Sequence, residues 1–331
     1  MYNALLTGGA GFIGSHLAER LIADGHGVTV VDDFSTGRRS NLAHLEGNRR
    51  FRLIQGSVLD QALMEDTIRE ADRVFHLASP VGVRLIMEEP VKSTRSSFQG
   101  TSVVLECCAR HRKRVLVTSS SEVYGKGIAV PFREDDDTVS GPVSSRRWAY
   151  ACAKALGEFL ALAHWREDHL PVAIVRLFNT VGPRQTGQYG MVVPRFVEAA
   201  LAGEPLTVYG DGEQRRCFVH VLDVVEGLVR ILEQPACRGQ VVNLGNDREI
   251  SINDLAKLVV EVTGSRSVIR HVPYSAVYGE GFEDMLRRVP CLERAARLIG
   301  YNPIRDLRSV VADVAAERRN AALARGAPHE A

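Results

Sequence analysis

Gly8-Gly9-Ala10-Gly11-Phe12-Ile13-Gly14 follows the apolar run Ala4-Leu5-Leu6-Thr7 and leads into Ser15-His16-Leu17-Ala18, and this stretch decides the fold. Each glycine has its own task. Gly8 allows a tight turn, Gly11 lets backbone approach a pyrophosphate, and Gly14 lets the next helix pack closely, while that helix offers unpaired N–H groups to an anion. Phe12 and Ile13 fall inside the same turn and share the cofactor contact. A glycine triplet alone is a weak signal; here Asp32 ends the second apolar run 18 positions after Gly14, which is the context a dinucleotide site requires. An acid there accepts hydrogen bonds from a ribose 2′-hydroxyl and repels a 2′-phosphate, so Asp32, with Asp33 beside it, favours NAD over NADP. Arg38 and Arg39, a turn later, argue the opposite way and weigh less.

Working outward, short β-branched runs alternate with amphipathic stretches through the first half. The strands predicted are Ala4 to Thr7, Val28 to Val31, Phe51 to Ile54, Val74 to Leu77, Val115 to Ser119 and Val172 to Arg176, with helices such as Ser15 to Ala23, Val91 to His111 and Tyr150 to Arg166. Strands separated by helix-length crossovers form a parallel sheet covered on both faces. The class is therefore α/β, a doubly wound parallel sheet. After Asn179 glycine and proline become frequent and the elements shorten. The spacing predicts a cofactor domain over 1–178 and a smaller C-terminal substrate-binding lobe over 179–331, with segments such as Val241 to Leu244 returning to the main sheet.

The 331 residues, 45% apolar with a net charge of +1, suffice for a sizeable core and carry no basic stripe to track a phosphate backbone, which argues against nucleic acid as partner. No apolar run approaches the roughly 20 residues of a membrane span, and the first strand begins close to Met1, so a cytoplasmic protein is expected. Six cysteines (Cys107, Cys108, Cys152, Cys217, Cys237, Cys291) show no ligand spacing, and no metal site is expected. Cys152 stands inside the catalytic motif.

Of eight tyrosines only Tyr150 has a lysine four residues on, Lys154. Positions i and i+4 share a helix face, so ammonium and phenol can face one cofactor, and the positive charge lowers the phenol pKa toward a value useful for taking a proton. The plain alternative is an exposed helical pair. The fifth strand runs into Ser119-Ser120-Ser121-Glu122-Val123-Tyr124-Gly125 at the C-terminal sheet edge, where such folds bind ligands. Ser120, with Ser121 second, is the hydroxyl to bond a substrate alcohol. Glu122 is a loop acid or a proton shuttle at the reaction centre.

These motifs, with His76-Leu77-Ala78-Ser79, Arg176-Leu177-Phe178-Asn179, Gly182-Pro183-Arg184 and Gly210-Asp211-Gly212, resemble in type and order the extended short-chain dehydrogenases acting on nucleotide sugars, whose cofactor fold is the Rossmann type. Within that group the chain looks most like the UDP-glucuronate decarboxylases (UDP-xylose synthases), on three stretches: Arg147-Trp148-Ala149-Tyr150, Gln214 to Phe218, and Tyr278 to Asp284 leading to Arg287-Arg288-Val289-Pro290. The resemblance places Ser57, Val58, Leu77 and Ala78 along NAD and gives Glu122 and Arg288 a part in decarboxylation. It puts Asn179, Thr207, Tyr209, Arg216 and Arg288 on the uracil or diphosphate, and Arg184 against the sugar carboxylate. The implied reaction begins with Tyr150 deprotonating the sugar 4-hydroxyl as hydride passes to NAD. Carbon dioxide then leaves the 4-keto acid, and the returned hydride yields UDP-xylose. The resemblance also implies a homodimer, helices Val91 to His111 and Tyr150 to Arg166 pairing across it.

Two departures stand out. Ser57 replaces an acid usual after Gly56, leaving adenine to Asp60 or backbone, and Ser97-Phe98-Gln99-Gly100-Thr101 lacks the asparagine that usually supports the catalytic lysine. The competing readings are a UDP-sugar 4-epimerase, which Glu122 disfavours, a 4,6-dehydratase, which Glu122 also fits, and a catalytically silent NAD-binding regulator, which Ser120, Tyr150 and Lys154 disfavour.

Overall fold

The computed structural model describes residues 1–80, 89–127, 129–145, 147–187, 191–278 and 287–326. Seven strands form the main sheet: β1 Asn3–Thr7, β2 Gly27–Asp32, β3 Phe51–Gln55, β4 Arg73–His76, β5 Arg114–Ser120, β6 Val172–Leu177 and β11 Val241–Leu244. Their order is β11-β6-β5-β4-β1-β2-β3 and every pairing is parallel. The order reverses between β1 and β4, and a doubly wound sheet opens its ligand crevice at that switch point.

Alternate strand residues feed two cores. Leu6, Phe75, Leu116 and Val175 face helices α1 (Phe12–Ala23) and α6 (Val221–Glu233), meeting Leu17, Leu21, Val224 and Leu228. Leu5, Val74, Val115, Val117 and Ile174 face α2 (Gln61–Glu70), α3 (Pro90–Arg110) and α4 (Arg147–Glu167), meeting Met64, Ile68, Val104, Leu105 and Ala161. Near-continuous apolar strands are what a sheet covered on both faces needs. β11 lies beside β6 from Val241 opposite Ile174 to Leu244 opposite Leu177, so a late segment does complete the sheet.

A third core builds the smaller lobe. Phe196 and Val197 of α5 (Val192–Ala202), Leu206 and Val208 of β8 (Leu206–Tyr209), Leu255 and Val259 of α7 (Ile252–Thr263), and Val310 and Val314 of the helix Leu307–Gly326 pack together. Three short strands pair beside it: β12 (Glu249–Ser251), β9 (Arg215–Cys217) and β14 (Arg287–Arg288). β14 is parallel to β9, with Arg288 opposite Arg216, which puts both at one edge of the cleft. No helix among the described residues is long and apolar enough to cross a membrane.

Candidate active site

A cleft of about 780 Å³ runs from the glycine turn across the sheet edge to the smaller lobe. At one end Gly8 takes φ +71°, and a Cβ there would sit 2.7 Å from the Ala78 backbone nitrogen. A Cβ on Gly14 would sit 2.4 Å from the Gly8 carbonyl oxygen and 2.7 Å from Gly9 Cα. α1 starts at Phe12, earlier than the predicted Ser15, because Gly11 is its extended N-cap and offers no capping side chain. The first-turn N–H groups therefore lack an internal acceptor, which suits an anion. Gly8, Gly11, Phe12, Ile13, Gly14, Asp32, Asp33, Ser57, Val58, Leu77 and Ala78 all line the cleft.

Asp32 accepts the Ala10 N–H (2.9 Å) and the Phe34 N–H (2.8 Å), and burial raises its pKa while those bonds oppose the rise. One N–H on each oxygen leaves acceptor capacity for ribose hydroxyls. Gly37, which the sequence reading overlooked, closes on it: a Cβ there would lie 2.9 Å from Asp32 Oδ1. Arg38 lines the cleft, whereas Arg39 turns to Glu46 at 2.9 Å. Asp60 is corrected as an adenine contact. It caps α2 by accepting the Leu63 N–H at 3.0 Å and stands outside the cleft wall.

In the middle, Tyr150 and Lys154 project from α4 and are both 6% exposed. The Tyr150 hydroxyl is hydrogen-bonded to the Ser120 and Ser79 side chains. Ser120 also accepts the Glu122 N–H at 3.2 Å, and Ser121, buried, lines the same wall. Lys154 donates to the Thr118 carbonyl at 2.9 Å, and its nitrogen lies 6.0 Å from the Tyr150 ring centre. Burial lowers its pKa to about 8, opposed by Glu158. Among the protein groups, burial raises the Tyr150 pKa first and the Glu122 carboxylate raises it further, the two serine bonds opposing, so the expected lowering by Lys154 is not what dominates at the phenol. In the stretch without the asparagine, Ser97 is 1% exposed and accepts from Ser79 at 3.3 Å. Gln99 faces solvent and accepts from Arg95. Cys152 points away from the cleft and is exposed.

At the far end Arg288 and Glu122 form an ion pair of 2.7 Å, and both line the cleft with Asn179, Arg184, Tyr209 and Arg216. Arg288 is 8% exposed and its Nε is buried with no hydrogen-bond partner among the described residues. Asn179 donates its amide to the Cys217 carbonyl at 3.0 Å, so its oxygen stays available to a ligand donor. Thr207 is corrected as a wall residue. Thr207 shares the non-core face of β8 with Tyr209, but its carbonyl is taken by Arg195 at 3.0 Å and it stays off the cleft wall that Tyr209 reaches. The Arg184 guanidinium, which lines the cleft, is held by Glu19 (2.5 Å) and Ser15 (3.2 Å) of α1 on the glycine-turn side. Ser79, Arg195, Gln214 and Tyr274 line the cleft without having been singled out. Arg195 stacks on the Tyr209 ring at 4.0 Å, and Gln214 donates to the Tyr274 hydroxyl at 2.9 Å. Gly279 to Asp284, which helped carry the resemblance, lies outside the described residues.

The profile of the "NAD dependent epimerase/dehydratase family" matches residues 4–245. A UDP-N-acetyl-alpha-D-glucosaminuronate decarboxylase of Bacillus cytotoxicus is 43% identical over 300 residues, covering 90% of this chain and 92% of the relative. A UDP-glucuronic acid decarboxylase 1 of Xenopus tropicalis is 38% identical over 300 residues, 91% of this chain and 68% of the relative. Among solved structures, the UDP-glucuronic acid 4-epimerase from Bacillus cereus in complex with UDP-glucuronic acid and NAD superposes with a TM-score of 0.87 at 27% identity, over 96% of this chain and 99% of that one.

Proposed function

The chain belongs to the NAD dependent epimerase/dehydratase family, and within it we propose that it is an NAD-dependent UDP-glucuronate decarboxylase that makes UDP-xylose. The observation that carries this reading is the Glu122–Arg288 pair, set at 2.7 Å in the wall that also holds Tyr150. The decarboxylase names of the two curated relatives point the same way.

The glycine cradle fits a dinucleotide, because the positions a Cβ would fill are those where a pyrophosphate must come close. Gly11 to Gly14 would hold its phosphates, Asp32 its adenosine ribose, and Lys154 with Tyr150 its nicotinamide half. NAD bound there accepts a hydride from a sugar carbon and can give it back. The remaining work falls to the chain. Tyr150 takes the 4-hydroxyl proton, with Ser120 and Ser79 bonded to its phenol and stabilising the phenolate. Once C4 is a ketone, the carboxylate on C5 is β to it and its loss leaves an enolate. Arg288 places fixed positive charge where that charge develops and shifts, which is where a site gains most. Glu122, paired to Arg288, relays a proton from solvent to C5, where it takes the place of the carboxylate lost as carbon dioxide, while the proton on Tyr150 returns to the 4-oxygen with the hydride. Arg216, Tyr209 and Asn179 hold the nucleotide, an arginine being suited to bidentate grip of a diphosphate.

A second reading is favoured by the 43% identical relative, whose substrate name carries a 2-acetamido group. The test is to give the NAD-loaded protein UDP-glucuronic acid and UDP-N-acetylglucosaminuronic acid in turn, and to follow the sugar by NMR while trapping carbon dioxide. Release of carbon dioxide with a UDP-pentose from the first supports the proposal. Release from the second alone transfers it to the acetamido sugar, and UDP-galacturonic acid without gas makes the protein an epimerase. The protein is further proposed to be a cytoplasmic homodimer. Leu156 and Phe159 on α4 are 49% and 68% exposed, as is Val91 on α3 at 80%, an apolar surface that a second copy would cover. Sedimentation of Phe159→Glu as a monomer beside a dimeric parent tests it.

A further inference from the structure

Asn243 of β11 is fully buried and lies outside the cleft wall, yet its side chain joins the supports of two residues that meet in the cleft. Its Oδ1 accepts the Tyr124 hydroxyl at 2.8 Å, and Tyr124 ends the single 3-10 turn Ser121–Tyr124 that carries Glu122. Its Nδ2 donates to two carbonyls, Phe132 at 3.0 Å and Cys291 at 3.3 Å. Phe132 and the segment after Arg288 run side by side. The Phe132 N–H donates to the Val289 carbonyl and the Cys291 N–H to the Phe132 carbonyl, each at 2.8 Å. Tyr124 and Phe132 also stack, ring centres 4.7 Å apart and 6° from parallel. The Asn243 N–H is tied as well, donating to Glu134 Oε1 at 3.0 Å.

We propose that Asn243 is a positioning residue that sets the distance between Glu122 and Arg288, and through it decides whether the oxidised sugar loses its carboxylate. The inference rests on the decarboxylase reading above. Glu122 and Arg288 are long side chains on separate segments, and a contact between them is reproducible only if both backbones are anchored. One amide anchors both: its acceptor holds the Glu122 turn, and its donors hold Phe132 and Cys291, the latter in the segment that follows Arg288. A buried amide with three satisfied partners resists displacement, since each broken bond leaves a polar group without water. Proton removal from the 4-hydroxyl depends on Tyr150 and Lys154, which are bonded to Ser120, Ser79 and Thr118 instead. Loosening Asn243 therefore acts directly on the Glu122–Arg288 contact and reaches the oxidation step only indirectly, through the Ser120 hydroxyl that accepts the Glu122 N–H, so the two rates should separate. A misplacement of about 1 Å at a reacting centre can cost on the order of a hundredfold in rate.

Asn243→Asp keeps the shape and the Tyr124 acceptor but turns an acceptor toward two carbonyls. Asn243→Ala removes the donors without adding charge and serves should the aspartate variant not fold. Val242→Ala, a cavity in the same strand, controls for general loss of stability. Single turnovers of NAD-loaded enzyme with UDP-glucuronic acid labelled in its carboxylate separate the steps, absorbance at about 340 nm reporting sugar oxidation and trapped label reporting decarboxylation. The Asn243 variants are expected to oxidise the sugar within about twofold of the parent rate and to release carbon dioxide at least about tenfold more slowly. Val242→Ala should leave the ratio of the two rates unchanged. A parallel fall of both rates, or an unchanged release, overturns the inference alone. A parent enzyme that oxidises the sugar and keeps its carboxylate overturns the decarboxylase reading and the inference with it.

Discussion

Arg288 and Glu122, far apart in sequence, meet at 2.7 Å with side chains only 10% and 16% exposed. Removing either one leaves the other charge largely desolvated without its partner, at a cost of about 2 kcal/mol in stability. The catalytic loss should be larger and specific. Arg288→Met is expected to lower carbon dioxide release by about 10² to 10³-fold, the usual penalty for deleting a preorganised charge-stabilising donor. UDP binding should survive, because Arg216 and Tyr209 remain. Trapped carbon dioxide and UDP titration measure the two quantities, and full release from Arg288→Met would remove Arg288 from the mechanism.

Tyr150 sits in burial and beside Glu122, and both raise its pKa. Neutralising Glu122 removes a negative charge that opposes phenolate, so Glu122→Gln lowers the phenol pKa. The rising limb of the oxidation rate against pH should move to lower pH. Tyr150→Phe, by contrast, should cut the oxidation rate by about 10² to 10⁴-fold at every pH. A limb that stays in place, or moves to higher pH, would show that Tyr150 is not the titrating base.

How much of this was readable beforehand follows from how local each signal is. The glycine turn, Asp32 and the Tyr150–Lys154 pair are set by spacing within one turn or one helix face, and all of them line the cleft. The return of Val241–Leu244 to the sheet was legible as a β-branched run. Ser79 against Tyr150, Arg195 against Tyr209, and Asn243 between two loops depend on tertiary approach and leave no periodic mark. Thr207 lies on the same face of β8 as Tyr209, and how far each side chain reaches toward the cleft depends on tertiary approach rather than on strand period. Arg184 could not be placed without Glu19 of α1, and Asp60 follows a rule of its own, since Asp before a helix is also a cap.

His76 offers a stability test away from the chemistry. It is 1% exposed, with Nδ1 2.8 Å from the Thr7 hydroxyl and Nε2 3.1 Å from that of Thr101. Thr101 donates onward to the Ser97 carbonyl, so the chain of bonds closes with a neutral imidazole. Burial, helped by Lys154, lowers the His76 pKa from 6.5 to about 3. Between those values the unfolded chain holds a proton the folded one lacks, so stability falls as pH drops from 6.5 toward 3. The loss should be about 2 kcal/mol by pH 5. Urea denaturation across that range, compared with His76→Asn, measures it. An equal slope in the variant would assign the acid sensitivity to other groups.

Gly14 and Gly11 differ in what a methyl group would meet, and the difference separates folding from binding. At Gly14 the new carbon would meet the Gly8 carbonyl oxygen at 2.4 Å and Gly9 Cα at 2.7 Å, both backbone atoms that cannot swing aside. Gly14→Ala should therefore open the turn, costing about 1–3 kcal/mol of stability as well as NAD affinity. At Gly11 the contact is a single one, the Gly8 oxygen at 3.1 Å, and φ is −72°, which any residue accepts. Gly11→Ala is expected to fold nearly as well as the parent and still to lose NAD affinity by at least about tenfold, because the methyl occupies the space through which a pyrophosphate approaches the α1 N-terminus. Thermal denaturation and NAD titration of both variants read the two effects apart. Unchanged NAD affinity in Gly11→Ala would move the pyrophosphate away from this turn.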